Sequence, residues 1–307
     1  MPTQVRFRSG SQALKRLMPA AELVQLAAGF RWAEGPVWLP ERRRVVFSDV
    51  SGNRMYALDE TGTVLTFRDP SNLANGNALD HLGRLVTCEH GTRSVSRTEH
   101  NGAVVTVADQ YEGRRLNSPN DVVVRSDGTI FFTDPTDGLT PQWGIPGNQE
   151  LDFQGVFRVT PDGRLSAEAT DFNTPNGLAF SPDERLLYVD DTDRLHIRVF
   201  QVAPYGSLTV GEVFAEMDAG LGAGWPDGLK VDVAGNVWAS GPAGIWVFSP
   251  HAQLLGIIEM PEPVTNLAWG GSDGRCLYVT TAAEDFSRSC LYRLGPVDTG
   301  GARTSGL

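Results

Sequence analysis

The chain has 307 residues, 34 of them glycine and 19 proline, and carries a formal net charge of −11 with a pI near 4.9. Such acidity opposes electrostatic binding to nucleic acid or to an anionic leaflet, and it suits a site for cations. No stretch approaches the roughly 20 apolar residues of a membrane span, and the N-terminal MPTQVRFRSGSQALKRLMPA lacks the apolar core of a signal peptide, so the default expectation is cytoplasmic.

In chain order, residues 1–20 are expected to be peripheral, with a short helix over Ser11 to Leu17 lying outside the main body. The string ELVQLAAGF reads as a strand that pairs with the C-terminal repeat and closes a ring. Six strand groups follow: VVFSDV with RMYAL, RLVTCE with SVSRTE, TIFFTD with GVFRV, LLYVDD with IRVFQV, NVWAS with IWVFSP, and CLYVTT with CLYRL. Val, Ile, Phe and Thr runs bounded by Gly and Asp turns mark strands, three to a repeat. The expected fold is all-β, a six-bladed β-propeller forming one domain over 1–307, and the small polar tail Asp298 to Leu307 should fray. The third repeat carries an insertion, GLTPQWGIPGNQELDFQ, from Gly138 to Gln154, and a long loop on a rigid scaffold often shapes a binding pocket.

One position recurs in every repeat, where a turn delivers a short polar side chain and then enters an apolar strand. It is filled by Glu34, Asn75, Asn120, Asn176, Asp227 and Thr265, at gaps of 41, 45, 56, 51 and 38 residues. A ring of blades brings equivalent positions around one axis, so these oxygens converge. Asn and Asp before Gly are also ordinary turn formers, but turn chemistry does not require them at one repeat position throughout. Carboxylate and carboxamide oxygens are hard ligands that suit Ca²⁺, and Glu34 and Asp227 with the neutral Asn120 and Asn176 would balance its charge. An all-oxygen set also accepts Mg²⁺, Mn²⁺ or Zn²⁺ according to geometry and supply. Asn75 and Thr265 are left to water or substrate.

The strings AEGPVW, LNSPNDVVV, DGTIFFTDP, PNGLAFSPD and PDGLKVD, in this order between about Arg31 and Tyr292, resemble the gluconolactonase, regucalcin and senescence-marker-protein family of six-bladed propellers. The resemblance implies a divalent cation in the central channel held by Glu34, Asn176 and Asp227. Asn120 is a ligand in some relatives and a substrate or water contact in others. It also implies hydrolysis of a sugar lactone such as glucono-1,5-lactone, the cation polarising the carbonyl while Asp227 serves as the base for water.

Around that set, Asn75, Arg115 and Asn117 are expected to line the mouth and bind sugar hydroxyls. His90 is expected as a base, as a hydroxyl contact or as a structural residue. Asp134 is a supporting residue at the far end of the third repeat's inner strand, and Trp143 and Trp225 form either an apolar rim or packing between blades. Two other functions stay open: hydrolysis of organophosphate or aryl esters in the same channel, and a non-catalytic calcium-binding propeller. The GGSDG string around Ser272 matches a nucleophile elbow by letters but is followed by a strand rather than a helix. DDTDRL lacks the glycine and distal glutamate of a calcium loop, and the basic ERRRVV reads as a solvated turn. Cys88, Cys276 and Cys290 form no metal-ligand spacing and read as free buried thiols, Cys276 and Cys290 being close enough in sequence for a disulfide.

Overall fold

Short β-branched and aromatic runs alternate with tight turns along the chain, and each run becomes a strand of an antiparallel sheet. The computed structural model describes residues 2–10 and 12–301. The first blade contains the strands Ala33–Leu39, Arg44–Asp49, Arg54–Asp59 and Val64–Arg68, in that order from the axis outward. The inner strands of the next five blades are Ala74–Leu79, Val122–Val124, Pro175–Phe180, Leu229–Val231 and Val264–Gly270. Each touches the next, and the last touches the first, which closes the ring.

Every blade has a fourth, outer strand, where the sequence pattern yielded three. Val64–Arg68, Val104–Ala108, Leu165–Phe172, Glu212–Glu216 and Leu254–Glu259 are these outer strands. In Val64–Arg68, Val104–Ala108 and Glu212–Glu216 the residues are largely exposed and their alternation is weak, so the hydrophobic pattern that marks a half-buried strand is missing. In the sixth blade the outer strand is Glu22–Ala28, which pairs with Ser289–Gly295 in a register that sets Leu23 opposite Leu294 and Ala28 opposite Cys290. The ring is thus latched by the strand foreseen in ELVQLAAGF, and two sheet edges are removed.

The termini are more integrated than their composition suggests. Phe7–Gly10 adds a fifth strand to the fifth blade and Thr3–Gln4 a fifth strand to the sixth. The helix Gln12–Leu17 buries Leu14 in the core shared by those two blades, while Ser11 lies outside the described residues. The tail does not fray before its last described residue: Val297 is buried, Asp298 N donates to Leu17 O, and Gly301 bridges Asp232. One buried valine and paired backbone groups outweigh the small polar composition. Residues 302–307 lie outside the described residues.

The core consists of side chains sandwiched between adjacent blades. Phe47, Phe131, Phe157, Tyr188 and Trp238 are among the largest fully buried ones, and Phe132 stacks on Phe157 with centroids 5.3 Å apart. All three cysteines are free. Ser272 sits in a turn between the strands Val264–Gly270 and Cys276–Ala282, so no nucleophile elbow exists there.

Candidate active site

The recurring position lies at one end of the six inner strands, and its backbone is locked by the neighbouring blade. Gly76 N donates to Asn120 O at 2.8 Å, Gly177 N to Asp227 O at 2.6 Å, and Gly228 N to Thr265 O at 2.8 Å. Ser48 Oγ and Thr133 Oγ1 reach Asn75 O and Asn176 O at 2.7 Å each. The glycine that follows four of these residues is required sterically: a Cβ on Gly177 would lie 2.2 Å from Asp227 O, and one on Gly76 2.6 Å from Asn120 O. With the carbonyls tied between blades, the side chains at this position are the groups left to fill the channel.

A second recurring device steadies the loops that lead into the ring. Asp49 Oδ1 accepts from Arg31 N and Trp32 N, at 3.1 and 2.8 Å. Asp134 Oδ2 accepts from Asn117 N at 2.7 Å, and Asp191 accepts from Asn173 N and Thr174 N at 2.8 and 3.2 Å. Each carboxylate ends the second strand of its blade and holds the backbone two or three residues before Glu34, Asn120 and Asn176. Asp134 therefore belongs to the second strand, Ile130–Asp134, rather than to an inner one. Burial pushes its carboxyl up to about 7, against the lowering effect of the bonds from Asn117 and Ser118.

Glu34 and Asp227 are 3% and 5% exposed, and burial raises both carboxyls. Glu34 reaches about 8, with Asp121 adding to the rise while Gly35 N and Asn266 Nδ2 oppose it. Asp227 goes well above the usual carboxylate range, raised further by Glu34 and Asp190. Asp190 is raised too, by burial and then by Asp121. Among the described residues the ammonium beside these carboxyls is Lys230 Nζ, at 3.6 Å from Asp121 Oδ2. The buried carboxyls thus favour their protonated forms, and a cation beside them would favour the ionised ones.

Asn176 points the same way. Its Nδ2 donates to Thr192 Oγ1 at 3.2 Å, while its Oδ1 is buried with no partner. A buried acceptor without a donor is costly, and a cation removes that cost. The donor chemistry of Glu34, Asn176 and Asp227, all oxygen and doubly anionic when ionised, fits a hard divalent ion. Asn120 stands at the equivalent ring position, buried, with its carbonyl taken by Gly76 N.

Thr265 is different in kind. Its Oγ1 donates to Ala33 O at 2.7 Å and meets Thr280 Oγ1 at 2.8 Å, which joins the sixth blade to the first. Asn117 is fully buried, and its Nδ2 is held by Asp134 O and Phe153 O at 3.1 and 2.9 Å, so it braces a loop instead of lining the mouth. Arg115 is exposed, with its guanidinium on Thr92 O and its backbone N on Glu150 Oε2. His90 is 2% exposed, and burial depresses it to about 4, so the ring is neutral across the physiological range. Its nitrogens face Trp143 O at 2.9 Å and Asn75 Nδ2 at 3.2 Å.

The insertion of the third blade packs over this end of the channel. Trp143 meets Trp32 and Phe286, with ring centroids 4.1 and 5.1 Å apart, and these rings form an aromatic rim. Trp225 packs against that cluster and turns its Nε1 to Asp227 Oδ2 at 3.3 Å.

Residues 32–283 match the family model described as SMP-30/Gluconolactonase/LRE-like region. The chain belongs to this family. It is 35% identical to a gluconolactonase of Zymomonas mobilis over 283 residues, covering 84% of this chain and 78% of that protein. It is 31% identical to the pentonolactonase XacC of Haloferax volcanii over 263 residues, 83% of each chain. Among solved structures, a gluconolactonase from Xanthomonas campestris superposes with a TM-score of 0.87 at 37% identity, covering 97% of this chain and 96% of that one.

For this member of the SMP-30/gluconolactonase family, sequence reasoning missed the layer just below the ring. Asp121 and Asn266 occupy the place that glycine takes in the other four blades, and Asn266 Nδ2 reaches Glu34 Oε2 at 3.2 Å and Asp121 Oδ2 at 3.4 Å. The available signal was the break in the Gly pattern, ND and TN where the others read EG, NG and DG. The clamping acids were visible as FSD, FTD and VDD at strand ends. Their partners, backbone amides 17 or 18 residues earlier, leave no mark in the sequence.

Proposed function

We propose that this protein is a divalent-cation-dependent lactonase that opens small sugar lactones, such as glucono-1,5-lactone, to the aldonic acid. The observation that carries the reading is the buried group of Glu34, Asn176 and Asp227 in a chain of this family. These three residues, with Asn120 as a fourth, would hold Ca²⁺ or, by supply, Mg²⁺, Mn²⁺ or Zn²⁺. When bound, the ion supplies a Lewis acid that favours charge on the lactone carbonyl oxygen.

The chain's own residues supply the rest. Asp227 has one carboxylate oxygen near Trp225 Nε1, which leaves the other to take a proton from the attacking water. Burial and the neighbouring Glu34 strengthen the hold of Asp227 on that proton, and a cation beside it would weaken that hold, so the two effects oppose each other. The proton returned to the ring oxygen completes the cleavage, and the net reaction is lactone plus water giving a hydroxy acid. Asn266 fixes the Glu34 carboxylate, and the rim of Trp32, Trp143 and Phe286 limits water around the reacting ester.

The aromatic rim favours a second reading, in which the same channel takes aryl esters or organophosphates. A pH-indicator assay with gluconolactone, xylonolactone, an aryl ester and a phosphotriester, each with and without chelator, separates the two. Acid release from the sugar lactones that stops on chelation supports the proposal. Turnover confined to the phosphotriester or aryl ester would replace it, and no turnover by metal-replete protein would favour a non-catalytic cation-binding propeller.

A further inference from the structure

The buried imidazole of His90 has two neighbours, and their chemistry leaves it only one arrangement. A backbone carbonyl is solely an acceptor, so the contact with Trp143 O at 2.9 Å requires a proton on Nδ1. A neutral ring then has a lone pair on Nε2, and Asn75 must present its Nδ2–H there, at 3.2 Å. The backbone of Asn75 cannot adjust, because Asn75 O is held by Ser48 Oγ and Asn77 Nδ2 at 2.7 and 2.9 Å. With its nitrogen directed at His90, the Asn75 carboxamide turns Oδ1 away from the ring, and that oxygen is buried without a partner.

The imidazole is itself held in place. Its backbone N donates to Leu73 O, and Gly138 of the insertion packs so closely that a Cβ there would lie 2.6 Å from His90 Cγ. The carbonyl of the insertion thus sets the tautomer of His90, and the tautomer sets which end of Asn75 is free.

We propose that His90 is a positioning residue that presents Asn75 Oδ1 as an acceptor for a hydroxyl of the bound lactone. Discrimination between polyhydroxylated and unsubstituted lactones then depends on a carbonyl of the third-blade insertion, relayed through His90. The inference rests on the lactonase reading for its substrate but not for the arrangement of the two side chains. An acceptor already buried and lacking a donor favours a ligand that brings one, which a sugar lactone does and δ-valerolactone does not.

The test compares kcat/KM for glucono-1,5-lactone and δ-valerolactone in the Ca²⁺-loaded wild type, His90→Phe, His90→Gln, Asn75→Ala and the double variant His90→Phe/Asn75→Ala. His90→Phe and Asn75→Ala should each lower the preference for the sugar lactone about tenfold, mainly through KM, and the double variant should lose no more than either. His90→Gln, which carries both an acceptor and a donor, should recover the preference to within about threefold of wild type. Calorimetric Ca²⁺ affinity should stay within about twofold in Asn75→Ala. An unchanged preference in both single variants overturns the proposal, as does a Ca²⁺ affinity that falls tenfold or more, which would move Asn75 to the cation. The ¹⁵N spectrum of the His90 imidazole in the wild type should show the Nδ1-protonated tautomer at pH 7. The Nε2-protonated tautomer would refute the arrangement even if neither lactone is turned over, a result that by itself would sink only the lactonase reading.

Discussion

Gly177→Ala tests the idea that the channel is built by close approach between blades. The native glycine does not have a left-handed φ, so alanine is compatible with the backbone and the effect is one of space. The added Cβ would lie 2.2 Å from Asp227 O, 2.7 Å from Leu229 N and 2.8 Å from Gly228 Cα, all backbone atoms. Restoring ordinary contact requires the fourth and fifth blades to part by roughly 1 Å, and overpacking of this kind costs about 1–3 kcal/mol. The bond from Gly177 N to Asp227 O, now 2.6 Å, would lengthen as well, which adds about 1 kcal/mol. The expected destabilisation is therefore about 2–4 kcal/mol, read as a lower guanidinium midpoint. Moving Asp227 by about 1 Å should also lower lactone turnover about a hundredfold, with a matching loss of Ca²⁺ affinity by calorimetry. Gly147→Ala is the control, since its nearest neighbours to a new Cβ lie 3.7 Å away. A Gly177→Ala protein with the wild-type midpoint and Ca²⁺ affinity would refute the close-packing argument.

Asp227→Ala should abolish Ca²⁺ retention and lactone turnover. Thr265→Ala should retain Ca²⁺ and lose about 1–2 kcal/mol of stability, because its hydroxyl bonds Ala33 O; equal loss of Ca²⁺ in both variants would contradict an asymmetric cation site. Thorough chelation should stop lactone hydrolysis and Ca²⁺ should restore it, so activity that survives chelation rules out the cation's role. For His90 the folded-state value near 4 lies below the ordinary 6.5, so its contribution is present above pH 6.5 and is lost as pH falls through about 4. That difference corresponds to about 3 kcal/mol, and thermal melts of His90→Phe between pH 7 and pH 4 should show a correspondingly shallower loss of stability than wild type. Parallel pH profiles for the two proteins would show that His90 is not buried neutral.

The second strand of each blade was legible because both of its faces are covered, which leaves dense Val, Phe and Tyr runs, as in Arg44–Asp49 and Ile130–Asp134, bounded by turns. The outer strands were not, because exposed runs such as Val64–Arg68 and Val104–Ala108 have little pattern to read. The ring residues were legible through repetition, since a repeat fixes equivalence without any knowledge of distance. What each ring residue does was not, because repetition cannot distinguish a hydroxyl that ties two blades together, as in Thr265, from an unpaired carboxamide oxygen, as in Asn176. Asn117 shows the same limit: it is near Asn120 in sequence, yet its amide braces a loop.

By itself the sequence determined the all-β class, the six repeats, the latching strand and the acidic and amide residues that meet at the axis. These follow from local periodicity and from the symmetry that a repeat imposes. Only the tertiary structure decided that the N-terminal strands and the tail to Gly301 join the outer blades, that Asp121, Asn266 and Lys230 underlie the ring, and that His90 is held by the carbonyl of Trp143. Those outcomes depend on contacts between segments far apart in the chain, and their energetics turn on burial and on which donors remain unpaired.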